Sequence, residues 1–265
     1  MPLPREHGAW SILAQPFLCA LILAREWHWS ILAAAVAVAA MFLLRTPLVI
    51  LGRQAFVWRE PHAESRSAFR WALLFAAVTL AAAAILLPRW GIANLLGFGI
   101  AATALTAMAV YMEITNRQRS VWLQLVTAAG LSSSCLAAVL SAKGQIPRWG
   151  WILWMLCAAH AIAGILVVRA RLEVRIAARS RKAEAPIYFQ PARLAQLLLI
   201  AAGLVMLASG SPWIGAALIL PSLLHLRELG RLAATIDMPL QTVGLRAMSV
   251  SIGFSILAIC GLWPA

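Results

Sequence analysis

Aspartate is nearly missing from this chain: Asp237 is the only one in 265 residues, and Asp and Glu together number 9. Enzymes that hold Mg²⁺ on a diphosphate need clustered carboxylates, and no DxxxD or DDxxD string occurs. Also missing are a P-loop, a dinucleotide glycine fingerprint, HExxH and GxSxG. Their absence removes the usual signatures of nucleotide binding, zinc proteolysis and serine hydrolysis. The four cysteines (Cys19, Cys135, Cys157 and Cys260) all fall in apolar runs, with no CxxC or Cys/His metal spacing. They read as small buried hydrophobes, and neither a metal nor a cofactor is implied. Charge is scarce as well, at 12% of residues, where a soluble domain carries roughly a quarter.

What the chain has instead is apolar surface, with 63% of residues hydrophobic. One water-soluble core cannot hide that much, so lipid must be the solvent for most of the exterior. In lipid every backbone N–H and C=O needs an internal partner, which leaves helices or a closed barrel. The apolar runs are rich in Ala and Leu, do not alternate strictly, and approach the length a spanning helix needs. The fold class is therefore an all-α, polytopic membrane helix bundle. Nine segments are expected as spans, near 10–24, 29–44, 69–88, 91–112, 120–142, 147–168, 194–208, 212–226 and 242–263, within a single transmembrane domain covering 1–265. Segment 10–24 reads as a retained helix rather than a signal peptide, because its basic region is thin and Gln15-Pro16 breaks its apolar core. The seventh and eighth segments, joined by Ser209-Gly210-Ser211-Pro212, read as two short spans in preference to one re-entrant element.

The basic residues give this count a direction. Nine spans with the N-terminus inside put Arg25, Arg89, Lys143 and Arg148 outside and the other 18 of the 22 lysines and arginines inside. Such a split is a positive-inside signal. The expected location is the cell membrane, with the N-terminus cytoplasmic and the C-terminus outside. The formal net charge of +13 is then a topology signal, and no nucleic-acid partner is implied. Tryptophans 10, 27, 29, 90, 149, 151, 213 and 263 fall near segment ends, as interfacial belts do. The longest polar stretches, 45–70 and 169–193, are both inner and are expected to extend the helices before them. In the second, Arg171, Arg175 and Arg179 repeat every four residues and form a stripe on one face.

Candidate chemistry lies in three places. The string Pro4-Arg5-Glu6-His7-Gly8-Ala9-Trp10 sets a cation, a carboxylate and an imidazole at the membrane edge, where such groups are expensive unless paired or functional. Glu6 and His7 are the candidates there for proton transfer. Glu113, Asn116 and Arg117 lie within one helical turn near the inner end of the fourth segment, with Glu113 a third catalytic candidate. Arg45, Arg53, Arg169, Arg171 and Arg175, with Arg59, would converge if the two long inner loops meet. Together with Asn116 and Arg117 they are the candidate substrate-binding groups, since guanidinium forks suit phosphate or carboxylate. For each arginine, plain topology and anionic-lipid attraction are the competing explanation. His160, His225 and the serines 132–134 read as helix–helix hydrogen-bonding groups.

The opening string, followed by Gln15-Pro16-Phe17, resembles the start of the YwiC-like family of bacterial membrane proteins. Their usual form is Gln-His-Gly-Ala-Trp with a downstream Pro, and Glu6 stands here in place of the Gln. The phrase Arg45-Thr-Pro-Leu and the run from Arg169 to Arg175 look like that family's other polar stretches. This resemblance brings no biochemical activity with it. Nine helices with long inner loops after the second and sixth are also similar to UbiA-type prenyltransferases. There the two loops carry Asp-rich motifs for Mg²⁺ and isoprenyl diphosphate, whereas here they carry arginines. That likeness implies a UbiA-like lipid or prenyl-group transferase that binds an anionic headgroup directly by arginine at its cytoplasmic side. The partner would be a membrane lipid or a lipid-linked substrate. A small-anion transporter and a non-catalytic membrane assembly partner remain open alternatives.

Overall fold

The structure, a computed structural model, describes residues 7–59, 64–117, 120–180 and 187–263. Among them every regular element is helical. Six helical stretches are long and apolar enough to cross a membrane: Ser30–Trp58, Ser65–Ile114, Val121–Lys143, Arg148–Ala178, Phe189–Ala208 and Gln241–Leu262. The chain divides into two compact units, Met1–Trp151 and Ile152–Ala265.

Unit 1 opens with α1 (His7–Ala24), which keeps Pro16 in its interior. Helix α2 (Ser30–Arg53) runs on into one π-helical turn, Gln54–Trp58, and stops at Arg59, which is left-handed with φ 56°. The expected end of this segment was residue 44. Pro47 is buried inside α2, and the polar stretch begins as a continuation of the helix, as expected. Helix α3 (Ser65–Ile114) contains both expected spans 69–88 and 91–112. Its 50 residues would measure about 75 Å if straight, more than twice a ~30 Å hydrocarbon core. Gly91, with φ 69° and ψ 161°, breaks it. That backbone region is essentially open to glycine alone. The expected boundary is thus a single residue wide. Helices α4 (Val121–Ser132) and α5 (Ser134–Lys143) are separated only by Ser133.

Helix α5 is the centre of this unit. Ser134 through Ala142 are all buried. Its serines tie it to its neighbours: Ser134 Oγ donates to the Leu13 carbonyl of α1 at 2.6 Å, and Ser30 Oγ of α2 donates to the Ser141 carbonyl at 2.9 Å. Trp90 Nε1 of α3 donates to Ser141 Oγ at 3.0 Å. A helix leaves its last carbonyls without partners. Arg89 takes two of them at the end of α5, donating to Ala142 at 2.5 Å and to Ser141 at 3.3 Å. A cation at a helix C-terminus also suits the macrodipole. Gly144, at φ 74°, then ends the helix in a left-handed turn. Lys143 pairs with Glu26 at 2.6 Å beside it.

Unit 2 holds the body of α6 (Arg148–Ser180), then α7 (Phe189–Ala208), α8 (Pro212–Gly230), a 3-10 turn at Ala233–Thr235 and α9 (Leu240–Leu262). Helices α7 and α8 form a tight hairpin through Gly210, φ 80°. Their backbones nearly touch: a Cβ on Gly203 would stand 2.9 Å from the Gly215 carbonyl, and one on Gly215 would stand 2.8 Å from that of Gly203. Inside lipid, where apolar contact drives little association between helices, small residues at such crossings let backbones approach and gain dispersion contact. The apolar expectation for 194–208 thus becomes a 20-residue helix that starts five residues earlier.

Candidate functional site

Two polar groupings are buried among these apolar helices, one in each unit. The first lies where α3 ends. Thr115 ends the helix, Asn116 turns left-handed at φ 57°, and Arg117 N–H reaches back to the Met112 carbonyl at 2.7 Å. Asn116 N–H reaches the Glu113 carbonyl at 3.2 Å. This is a Schellman stop, with asparagine tolerated at the left-handed position. Two arginines of α2 converge on the same end. Arg45 donates to the Glu113 carboxylate at 3.0 Å, and Arg53 donates to the Glu113 main-chain carbonyl, also at 3.0 Å. Gly52 permits the approach, because a Cβ there would run into the Ile114 side chain. Two guanidinium groups thus converge on one residue, Arg45 on its carboxylate and Arg53 on its main-chain carbonyl. The Arg45–Glu113 pair is only partly exposed, at 19% and 28% of the side chains.

The second grouping joins α6, α8 and α9. His160 of α6 stacks flat on Phe254 of α9, with ring centres 4.2 Å apart, and its Nε2 is 3.1 Å from Ser251 Oγ. The His225 ring of α8 lies 6.2 Å from that of His160. His225 Nδ1 faces Glu228 Oε2 at 3.9 Å, one turn further along α8. Glu228 Oε1 in turn accepts from Arg171 Nη2 at 2.9 Å, and Arg171 also donates to the Thr235 hydroxyl and carbonyl, both at 3.2 Å. Glu228 lies beyond the apolar run 212–226. Its carboxyl is held below the ordinary value, first by the His225 ring that faces it, while burial opposes that effect and Arg171 adds to it.

The sequence-derived candidates fall unevenly on this geometry. Glu113, Arg45 and Arg53 come together. Asn116 and Arg117 sit beside them with exposed side chains and form the helix stop. Arg171 is buried on Glu228, whereas Arg169 and Arg175 lie on the same helix and are partly exposed. Arg45 and Arg53 belong to unit 1, the three α6 arginines to unit 2. Glu6 lies outside the described residues. His7 opens α1, and its side chain is likewise outside them. Trp10 of the same string packs edge-on against Phe42 of α2, ring centres 4.8 Å apart. Sequence reasoning gave Glu228 no role beyond marking a helix end and did not single out Thr235. The i,i+3 spacing of His225 and Glu228 was the one signal available. Among the described residues no group of three or more His, Cys, Asp or Glu is placed to hold a metal ion.

A family model described as YwiC-like protein matches residues 3–139, just over half of the chain. The chain belongs to the YwiC-like family. The match takes in most of unit 1, with the Arg45–Glu113–Arg53 convergence inside it. The histidine grouping of this YwiC-like protein lies wholly beyond the matched residues. No curated protein and no solved structure matches the chain.

Proposed function

We propose that this YwiC-like membrane protein binds the anionic headgroup of a lipid or lipid-linked substrate where α2 meets the end of α3. The observation that supports this reading is the convergence of Arg45 and Arg53 on Glu113. Arg53 spends its bond on a neutral carbonyl. Arg117 is exposed one residue beyond the left-handed turn. A surplus of cations at a helix end beside lipid attracts anionic headgroups, and a guanidinium holds phosphate in two-point geometry.

The fuller topology behind this reading is nine spans with a cytoplasmic N-terminus. The two membrane-length halves of α3 on either side of Gly91, and the short apolar helices α1 and α8, support that count. In that topology the arginines face the cytoplasm, where the inner leaflet carries anionic lipid. The UbiA-like reading adds a group-transfer step at the bound headgroup, with Glu113, Glu6 and His7 as its candidate acid–base groups.

The test is lipid retention. Protein purified in mild detergent is analysed for bound phospholipid and isoprenyl phosphate by native mass spectrometry. Wild type is expected to retain an anionic lipid that Arg45→Gln with Arg53→Gln releases. Each charge-assisted hydrogen bond removed is worth roughly 1.5–3 kcal/mol, so the double variant should bind at least tenfold more weakly. Equal retention by both proteins refutes the reading. Protein-dependent anion flux in liposomes without lipid retention would favour the transporter alternative instead.

A further inference from the structure

His160, His225, Arg171 and Ser222 expose only 8%, 7%, 6% and 1% of their surface. Burying such groups is costly unless each polar atom finds a partner. Several do not: His225 Nδ1, Ser222 Oγ, Arg171 Nε and Gln196 Oε1 are buried with no hydrogen-bond partner. If the histidines served only to glue helices, His160 on Ser251 would suffice. That role gives no reason for a second imidazole 6.2 Å away whose Nδ1 is left open toward a carboxylate.

The order of the groups supplies the reason. Ser251, His160, His225, Glu228 and Arg171 follow one another in space. His160 lies near the middle of the apolar stretch 149–168. Arg171 is eleven residues further along α6, or about 16 Å along the helix axis. The row therefore covers roughly half of a ~30 Å hydrocarbon core, from its middle to the charged end of α8. Intramembrane histidines and carboxylates in sequence are what proton relays are made of. His160 bonds Ser251 at 3.1 Å, the two imidazole ring centres are 6.2 Å apart, His225 Nδ1 stands 3.9 Å from Glu228, and Glu228 is 2.9 Å from Arg171.

We propose that His160, His225 and Glu228 form a proton path that loads a single proton onto the buried imidazole pair. Glu228 takes a proton from the polar end of α8 and passes it to His225 Nδ1. The imidazolium so formed releases its other N–H proton toward His160, and Glu228, again a carboxylate, is ready for the next. One nitrogen of His225 gains a proton while the other loses one, so His225 returns to neutral and His160 holds the proton as imidazolium until it leaves by the same path. Two imidazolium rings this close repel, which limits the pair to one proton. Arg171 is a positioning residue that holds Glu228 through Oε1. The titratable and charged groups facing the pair are Glu228 from α8 and Arg171 from α6. Helix α9 contributes Ser251 and Phe254, and α7 contributes Gln196, none of which titrates. The site stands in unit 2 and does not rest on headgroup binding in unit 1.

The experiment uses the full chain with ¹⁵N-labelled histidine in lipid nanodiscs. The ring signals of His160 and His225 are followed by NMR from pH 5 to pH 8, the range in which histidine ordinarily titrates. Exchange of the His160 ring proton with water is measured alongside. The expected result is that the pair never carries more than one proton. Ring exchange is expected to slow at least tenfold in Glu228→Gln and in His225→Asn, with Gly97→Ala in α3, where an added methyl meets nothing within 4 Å, as an unchanged control. Glutamine can still accept from Arg171, and a thermal melt of each variant confirms that it is folded. If both rings carry a proton at once, or if folded Glu228→Gln and His225→Asn exchange as fast as wild type, the proton path is overturned.

Discussion

Arg53 donates to the main-chain carbonyl of Glu113, while the carboxylate of the same residue is held by Arg45, both at 3.0 Å. One residue therefore anchors two cations eight positions apart on α2. Its side chain answers a charge, and its backbone offers one of the carbonyls that a helix end leaves open. The two arginines are predicted to differ in what replaces them.

Arg53→Lys should keep much of the effect, because an ammonium also suits a helix C-terminus. Arg53→Ala should lower stability by about 1 kcal/mol, the usual size of one net hydrogen bond. Arg45→Ala should be rescued in part by Glu113→Gln in the same chain, since the double variant leaves no carboxylate uncompensated. Thermal melts in detergent, run as a double-mutant cycle, measure the coupling. Strict additivity of the Arg45 and Glu113 substitutions contradicts the pairing.

The α7–α8 hairpin makes a steric prediction. Gly203→Ala and Gly215→Ala each place a methyl group against main chain less than 3 Å away. The helices must separate, at a cost of roughly 1–3 kcal/mol, the range for overpacking. Gly97→Ala in α3 meets nothing within 4 Å. It should be neutral or stabilise by about 0.4–1 kcal/mol through the unfolded chain. If all three variants melt alike, the close crossing is wrong.

Arg89 carries a third prediction. It stands two residues before the break at Gly91 and takes carbonyls at the end of α5. Arg89→Ala takes this donor from the Ala142 carbonyl, while the Ser141 carbonyl keeps Ser30, at a cost of about 1–3 kcal/mol. Arg148→Ala, at the start of α6, serves as the comparison and should cost less. Proteolysis rates in detergent distinguish the two.

These contacts also show what sequence could and could not tell. The apolar runs, their turns and the basic stretches between them were legible, because lipid demands long apolar helices and charge marks their ends. The apolar span was drawn to residue 44 with the polar stretch after it expected to extend the helix, and α2 does run on to Arg53. In the structure Pro47 is buried within the helix, and Arg45 is neutralised by Glu113, 68 residues away. Arg171 was singled out for its stripe, but its partner Glu228 is 57 residues further on, and no periodicity encodes such a pairing. His160 and His225 were read as helix–helix hydrogen-bonding groups, and His160 does reach Ser251 of α9. Their proximity arises from how α6 and α8 pack, which local pattern does not carry.

Glu228 makes the last prediction, in the pH dependence of stability. Its carboxyl is held below the ordinary value, first by His225 and further by Arg171, against the opposing cost of burial. A carboxyl lowered in the folded state binds its proton more readily in the unfolded chain, so the charged form stabilises the fold. That contribution is fully present above the unfolded value, about 4.3 for glutamate, and is lost as pH falls through the lower, folded value. Wild type should therefore lose melting temperature below about pH 4.3 more steeply than Glu228→Gln, which has no proton to gain there. Above pH 6 the order should reverse in size, with wild type the more stable, since a neutral amide compensates Arg171 less well than a carboxylate does. Melts in detergent at pH 3.5, 5 and 7 give both comparisons. Parallel losses for the two proteins across that range would mean that the Arg171–Glu228–His225 contact contributes nothing to the acid side of the stability curve.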